Sequence, residues 1–434
     1  MAASFSPAAQ GEPKLNWLFL DLNSYFASVE QELRPELRGR PVAVVPLMAD
    51  TTCCIAASYE AKAFGVRTGT QVGEAKKMCP GIVLVEARHE EYVDYHHRIV
   101  EAVERCIPVA AVMSIDEMAC RLIGRERPLL AALELAQKVK SSVRQYAGST
   151  LRCSVGLASN RYLAKVASDM EKPDGLVALT PDILEGALLR LKPRDLPGIG
   201  PRMEKRLHAA GIRTMQDLLA LSSEQMNGTW GGNPGEKLWY WLRGEDFNDA
   251  ELEHQKSVSH SHVLPPELRN PEGSYAVAHK LLHKAAMHLR TARLWATHIT
   301  VSIRYAVPKA EAVSQHYSGI PQSAWSQGLS IIECQDNQTL VEALKKLWAA
   351  RPLGPKFEKP FFVGVGLDNL VPDHLHTLSL FASLETESRR TRLSSVMDSV
   401  NHKYGTDTLC VASMLLAKAA APTRIAFTSI PDLF

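Results

Sequence analysis

The stretch LNWLFLDLNSYFASVE, Leu15 to Glu30, decides the fold. Its first six residues are mostly apolar and include Trp17 and Phe19, which predicts a buried strand from Leu15 to Leu20 with a carboxylate, Asp21, at its exit. From Asn23 to Leu33 the apolar residues Phe26, Val29 and Leu33 recur at helical spacing, so a helix follows the strand directly. A strand feeding a helix across an acidic junction is the start of an α/β layer.

The pattern continues outward from there. Pro41 to Val45 and Thr52 to Ser58 read as strands, the second followed by a short helix, Tyr59 to Phe64, that Gly65 stops. Glu91 to Cys106 reads as a helix, Val109 to Ile115 as a strand and Leu130 to Tyr146 as a long helix. Asp116 follows its strand as Asp21 follows the first. Leu151 to Leu157 is a further strand, and Ser159 is placed to cap a helix from Asn160 to about Met170, which Lys172-Pro173-Asp174-Gly175 ends. One mixed domain therefore spans about 14 to 185. Between about 186 and 250 short helices are broken by Pro197, Gly198, Gly200, Gly211 and Gly231-Gly232, which predicts a small helical module. Beyond His254, helical patterns at Ala276 to Leu294 and Gln338 to Ala350 alternate with strand-like His298 to Tyr305 and Pro360 to Leu367, a second α/β layer. Past about 370 a polar segment precedes a helix from Arg390 to Tyr404 and an irregular tail.

Length and composition bound the function. A chain of 434 residues exceeds one ordinary core, so two to four domains are expected. No apolar run approaches the roughly 20 residues a membrane helix needs, which excludes an α-helical membrane protein. The first residues, MAASFSPAAQGEPK, have neither the basic start nor the apolar stretch of a secretion signal, so residues 1–13 are read as a disordered lead-in and the location as cytoplasmic. Eight cysteines without CxxC spacing point to reduced thiols, with neither a zinc site nor a disulfide framework. The net charge of +2 says little about partners, but between Lys256 and Lys309 eight basic residues, among them Arg290, Arg293 and Arg304, face only Glu267 and Glu272, a balance suited to tracking phosphates.

Phosphoryl transfer to a primer end uses two divalent cations about 4 Å apart, bridged by hard oxygens. Magnesium keeps several waters, so two or three carboxylates at neighbouring strand ends suffice. Asp21 and the Asp116-Glu117 pair have that arrangement if their strands are adjacent. Consecutive strand residues point to opposite faces, so Asp116 and Glu117 share one site only where the strand bends or ends.

Four blocks, DLNSYFASVE at 21–30, ASYEAKAFGV at 57–66, SIDE at 114–117 and SVGLASNRYLAKVASDMEKPDG at 154–175, resemble the Y-family DNA polymerases in order and spacing. DLPGIGPRMEKRLHAAGIRTMQDLL at 195–219 resembles that family's thumb, with weaker similarity beyond about 250. The resemblance implies a multidomain α/β protein, a right-hand polymerase. Its ferredoxin-like palm would take 14–33 and 78–185, its small fingers 34–77, and its helix-hairpin-helix thumb 186–250. An α/β little finger would take 251–370 and a tail 371–434. The implied activity is low-fidelity, template-directed DNA synthesis in translesion synthesis and repair, by a monomer bound to primer-template DNA and dNTP near the bacterial nucleoid.

Residue by residue, the resemblance implies two Mg2+ ions held by Asp21, Asp116, Glu117 and the Leu22 carbonyl. Asn23 stands where many relatives carry a second aspartate and is not counted as a ligand. Phe26 falls on the steric gate, where a flat aromatic crowds a ribose 2′-hydroxyl, with Tyr25 beside it against the nucleotide. Tyr59, Lys62 and Lys172 match the residues that grip the triphosphate, although the family usually has arginine where Lys62 stands, and lysine is a point charge without the fork. Arg161 and Lys165, one helical turn apart, are weaker candidates. The Pro197-Gly198-Ile199-Gly200 turn offers backbone N–H groups to a DNA strand, and Lys256, Arg290, Arg293 and Arg304 add phosphate contacts. His376-Thr377-Leu378-Ser379-Leu380-Phe381 resembles the peptide by which bacterial polymerases bind the sliding clamp, with Thr377 in place of glutamine; Asp432-Leu433-Phe434 is a shorter version. The alternatives are a polymerase-like scaffold without catalysis and, on the acidic pair alone, a nucleotidyl cyclase.

Overall fold

The computed structural model describes residues 15–50, 52–246, 257–306, 314–315, 321–354, 357–377, 384–405, 407–418 and 420. The chain divides between Asp249 and Ala250 into two compact units.

The first unit opens with β1 (Trp17–Leu22) and α1 (Tyr25–Leu33). A small excursion follows, made of β2 (Val42–Val45), β3 (Ala56–Ala57), α2 (Tyr59–Lys62), α3 (Val72–Met78) and β4 (Val83–Glu86). These strands form their own sheet, in the order β3-β2-β4, over a core of Ala43, Val45, Ala57, Ala61 and Val72. The excursion therefore runs on to Glu86, past the boundary expected at 77, because β4 pairs in parallel with β2. The strand expected from Thr52 to Ser58 shrinks to Ala56–Ala57; Cys53 makes only an isolated bridge to Gln71.

The chain then returns through α4 (His89–Glu104), β5 (Val109–Ser114), β6 (Glu117–Arg121), α5 (Leu129–Tyr146), β7 (Cys153–Ala158), α6 (Arg161–Met170) and β8 (Leu176–Leu179). The main sheet has the order β5-β6-β1-β7-β8 and is covered on both faces. Leu18, Leu20 and Leu22 of β1 pack with Ile99 and Val103 of α4 and Val139 and Val143 of α5. Phe19 alternates to the other face and packs with Leu163, Ala164 and Ala167 of α6. Asp21, two residues beyond Phe19, lies on that α6 face. The helix sits close because residue 156 is glycine: a Cβ there would stand 2.0 Å from the Ala164 carbonyl and 2.4 Å from the Ser168 nitrogen. The α6 cap is Asn160, not the expected Ser159; its side chain accepts from Leu163 N–H.

Among the described residues of the first unit five short α-helices follow: α7 (Pro181–Leu188), α8 (Pro201–Ala209), α9 (Met215–Leu219), α10 (Ser223–Trp230) and α11 (Asn233–Trp241). They do not form a separate core, since Leu196, Leu207, Leu218 and Leu238 pack in one cluster with the α6 residues. Asn160 donates to the carbonyls of Trp241 and Glu245, and Tyr162 stacks on Trp241.

The second unit contains β9 (Ser257–Val263), α12 (Pro271–Thr291), β10 (Leu294–Ala306), β11 (Ser314–Gln315), β12 (Pro321–Cys334), α13 (Asn337–Ala349), β13 (Pro360–Pro372) and α14 (Leu384–Tyr404). Its sheet has the order β11-β12-β10-β13-β9, and one face, with Ile299, Val301 and Val365, packs on α12 and α13. The other face carries small residues in register: Ser302 beside Gly364 and Ser326, Thr300 beside Gly366 and Gly328. Part of the expected tail is a built piece of this unit. The α14 helix begins at Leu384, ahead of the expected Arg390, and is tied down by Asp398 to Arg290 and by Ser394, whose hydroxyl accepts from Asn337 N–H.

Candidate active site

Asp21 and Glu117 are directly paired across β1 and β6. Asp21 lies within β1 instead of beyond its end, and Glu117 opens β6, a strand the sequence pattern missed. Asp116 sits in the tight turn between Ser114 and Glu117, the bend that two neighbouring acidic residues need if they are to serve one site. The turn is pinned to β1 by Leu22 N–H, which donates to the Asp116 carbonyl at 2.8 Å.

One ammonium draws these groups together. Lys165 Nζ lies 2.5 Å from Asp21 Oδ2, 2.8 Å from Glu117 Oε1 and 3.0 Å from Asp169 Oδ1. Lys172 Nζ adds 2.7 Å to the same Asp21 oxygen and 2.8 Å to Asp169. Asp116 keeps to its own turn and accepts from Ser114 Oγ at 2.6 Å. Among the described residues, no three His, Cys, Asp or Glu side chains converge tightly enough to hold an ion as they stand. The carboxylates are gathered at one sheet end but bridged by lysine.

The electrostatics follow from burial. Desolvation pushes the Asp116 carboxyl above its ordinary range against the Ser114 hydrogen bond, and Asp21 adds to the rise. Burial raises Glu117 too, with Lys165 opposing. For Lys165 burial acts downward, but Asp21, Asp169 and Glu117 outweigh it and hold the ammonium charged. The residues present fit a divalent cation: the donors are hard carboxylate oxygens, and a cation already sits between two of them.

Phe26 stacks on Tyr92 with ring centroids 4.5 Å apart. Tyr92 Oη donates to Glu30 at 2.8 Å, and fully buried Glu30 also takes Arg34 at 2.5 Å and Arg88 at 2.6 Å. Glu30 and Tyr92 escaped the sequence reading, because only the fold reveals that they support one ring. Tyr25 is turned inward, its hydroxyl donating to the Tyr92 carbonyl at 2.5 Å and its ring centroid 5.6 Å from that of Phe26. Lys62 Nζ donates to Ser24 Oγ at 2.7 Å and lies 4.4 Å over the Tyr59 ring. Burial and the nearby Lys172 push the Lys62 pKa down.

Other expected sites divide. Gly198 has φ +88°, the left-handed turn that glycine suits, and Gly200 precedes Pro201 at the first position of α8. Ile199 is buried and its N–H donates to the Leu196 carbonyl, so it anchors the turn and offers no amide to a ligand. Arg290 is corrected outright. Its guanidinium holds Asp398 through two nitrogens at 2.6 and 2.9 Å and bonds the Gln335 carbonyl, which leaves no fork for phosphate. Arg293 is exposed just past α12, and Arg304 lies over the Phe362 ring on the small-residue face. Thr377 is tied to Glu333 through its N–H and hydroxyl. Lys256, Leu378, Leu380, Phe381 and the terminal Asp432-Leu433-Phe434 lie outside the described residues.

Comparison with known proteins decides the family. Residues 20–169 match the impB/mucB/samB family, 194–246 the DNA polymerase-iota thumb domain, and 255–380 the impB/mucB/samB family C-terminal domain. DNA polymerase IV of Moorella thermoacetica is 31% identical over 397 residues, covering 89% of this chain and 93% of the relative. The chain belongs to the Y-family DNA polymerases. DNA polymerase IV 2 of Halalkalibacterium halodurans is 28% identical over 412 residues, 93% of this chain and 96% of its own. The solved Y-family DNA polymerase chimera Dbh-Dpo4(243-245)-Dbh shares the fold, with a TM-score of 0.64 at 24% identity over 82% of this chain and 99% of its own. An insertion ternary complex of Dbh DNA polymerase gives a TM-score of 0.56 over the same shares. As a Y-family enzyme the chain is a DNA-directed DNA polymerase of low fidelity that acts in translesion synthesis. Among its described residues no helix is long and apolar enough to cross a membrane.

Proposed function

We propose that the chain adds dNMP to a primer 3′-hydroxyl at the sheet end where Asp21, Asp116 and Glu117 meet, as a cytoplasmic, nucleoid-associated monomer with Mg2+ as its metal. The observation that carries this reading is the pairing of Asp21 with Glu117 across β1 and β6, with Asp116 in the adjoining turn. Held by these carboxylates and the Leu22 carbonyl, two magnesium ions would supply Lewis-acid neutralisation of the triphosphate and of the primer oxygen.

The chain's own residues do the rest. Lys172, with Lys62 and Tyr59 on the neighbouring α2, offers positive charge and a phenol to the triphosphate, while Phe26, backed by the Tyr92 ring, excludes a 2′-hydroxyl. Ser114 orients Asp116 by donating to its carboxylate. In this reading palm, fingers, thumb and little finger keep the expected order, with the fingers extended to Glu86. Duplex primer-template would be gripped without base reading by the Gly198–Gly200 turn and by the serine, threonine and glycine face of the second unit, with Arg293 and Arg304. Residues 377–381 would bind the sliding clamp. A non-catalytic scaffold has no need to keep three carboxylates at one sheet end.

The test is Mg2+-dependent primer extension opposite undamaged and abasic templates by wild type and Asp116→Ala. Extension that vanishes in Asp116→Ala while primed DNA is still retained is the expected result; undiminished extension refutes the assignment.

A further inference from the structure

Lys165 touches three carboxylates at once, and an ammonium has only three protons to give. Its donors are therefore spent on Asp21, Glu117 and Asp169. Asp21 Oδ2 in turn serves two ammoniums, those of Lys165 and Lys172. The two lysines are not equivalent. Lys172 lies beyond the end of α6 with its side chain 31% exposed, placed to reach outward. Lys165 lies inside α6 with 17% exposure, its Nζ 5.5 Å from the Phe19 ring. The helix that carries it is seated on β7 at Gly156, where no side chain would fit, so the ammonium is delivered to a fixed point.

We propose that Lys165 and the divalent cation compete for the oxygens of Asp21 and Glu117, and that Asp169 is the post that keeps the Lys165 ammonium when the cation takes them. The inference rests on the assignment of Asp21 and Glu117 as metal ligands. Lys165 takes one oxygen of each carboxylate, Asp21 Oδ2 and Glu117 Oε1, and a magnesium ion bonded to those oxygens at about 2.0–2.1 Å would stand so near the ammonium that like-charge repulsion sets the two cations against each other. Asp169 is one helical turn from Lys165 and lies on none of the strands that bear the other carboxylates. Lys165 can thus give up two acceptors and keep a third without leaving its helix. The tethered ammonium neutralises Asp21 and Glu117, which otherwise repel one another, and it sets a threshold that a monovalent ion, no more highly charged than the ammonium, does not pass.

Mn2+ binding to the full chain, without DNA or nucleotide and read by electron paramagnetic resonance, tests this. Lys165→Gln is expected to bind Mn2+ at least tenfold more tightly than wild type, and to melt lower than wild type in chelator but not in saturating Mn2+. Lys165→Arg, which keeps the charge, should stay within about threefold of wild type. A folded Lys165→Gln with unchanged or weaker affinity overturns the competition. Because that variant can fail to fold, the 15N-lysine NH3+ signal of wild type that is missing from Lys165→Arg supplies a second readout. It should shift on saturation with Mg2+, and a signal that stays in place overturns the proposal. Failure of the underlying assignment looks different: wild type that binds no Mn2+, or binds it equally well after Asp116→Ala, removes the ligands themselves.

Discussion

Replacing Asn160 by alanine removes one side chain that does three jobs. Its oxygen caps α6 by accepting from Leu163 N–H at 2.8 Å, and its nitrogen donates to the carbonyls of Trp241 and Glu245, both at 2.9 Å. Loss of the cap costs about 1 kcal/mol. Each lost donor costs about 1 kcal/mol more, the lower figure being apt because both bonds are only partly buried. The total, about 2–3 kcal/mol, lowers the melting temperature of a unit of this size by roughly 4–12 °C. Asn160→Ser keeps an acceptor for the cap and should recover about 1 kcal/mol of the loss. Thermal melting gives the global figure, and amide hydrogen exchange in peptides covering α6 and α11 tells where the loss falls. Both helices should exchange faster in Asn160→Ala, and α11 alone in Asn160→Ser. A drop below about 2 °C with unchanged exchange in α11 would refute the claim that this one amide fastens the last short helix to the sheet layer.

Phe26→Ala should admit ribonucleotides: a clash worth about 3 kcal/mol corresponds to roughly a hundredfold in relative kcat/KM for rNTP over dNTP, and an unchanged ratio contradicts the gate. Tyr92→Phe removes only the donor to Glu30 and should cost about 2 kcal/mol of stability with sugar selection intact, whereas Tyr92→Leu also removes the stacked ring and should relax selection in single-nucleotide insertion assays. Acid should weaken the second unit. Burial pushes His260 and His279 down to about 4 and His283 to about 3, so the folded chain binds fewer protons than the unfolded one and stability, complete above about pH 6.5, falls as the pH drops toward those values. For buried His279 alone the loss at pH 5 is about 2 kcal/mol, which His279→Gln should lessen in melts at pH 7.5 and 5; identical wild-type melts at the two values would disprove it.

The site's carboxylates were legible because each follows a local apolar run, and the order of the motif blocks carried the family with them. What escaped depended on distance. Arg290 reads as one more cation in a basic segment, yet its partner Asp398 is 108 residues away. The Glu30 and Tyr92 support for Phe26 joins residues 62 apart in the chain. Ser159 and Asn160 are both good cap residues, and only the backbone angles decide between them. Lys165 was visible as a charge on a helix face; that it faces inward to Asp21, 144 residues earlier, follows from the glycine that seats the helix. The α14 helix has a weak apolar stripe and forms where Asp398 and Ser394 find partners on neighbouring helices.

The two-residue turn of Ile115 and Asp116 makes this end of the sheet sensitive to length more than to spelling. Substitutions there alter one group at a time. A single inserted residue has two outcomes: it lifts Asp116 away from the Leu22 amide, or it slips β6 by one place along β1, moving Glu117 opposite Leu20 and so through the sheet, and Met118 opposite Phe19 on the α6 face. The number of residues between Ser114 and Met118 therefore constrains this end of the sheet more tightly than their identities do.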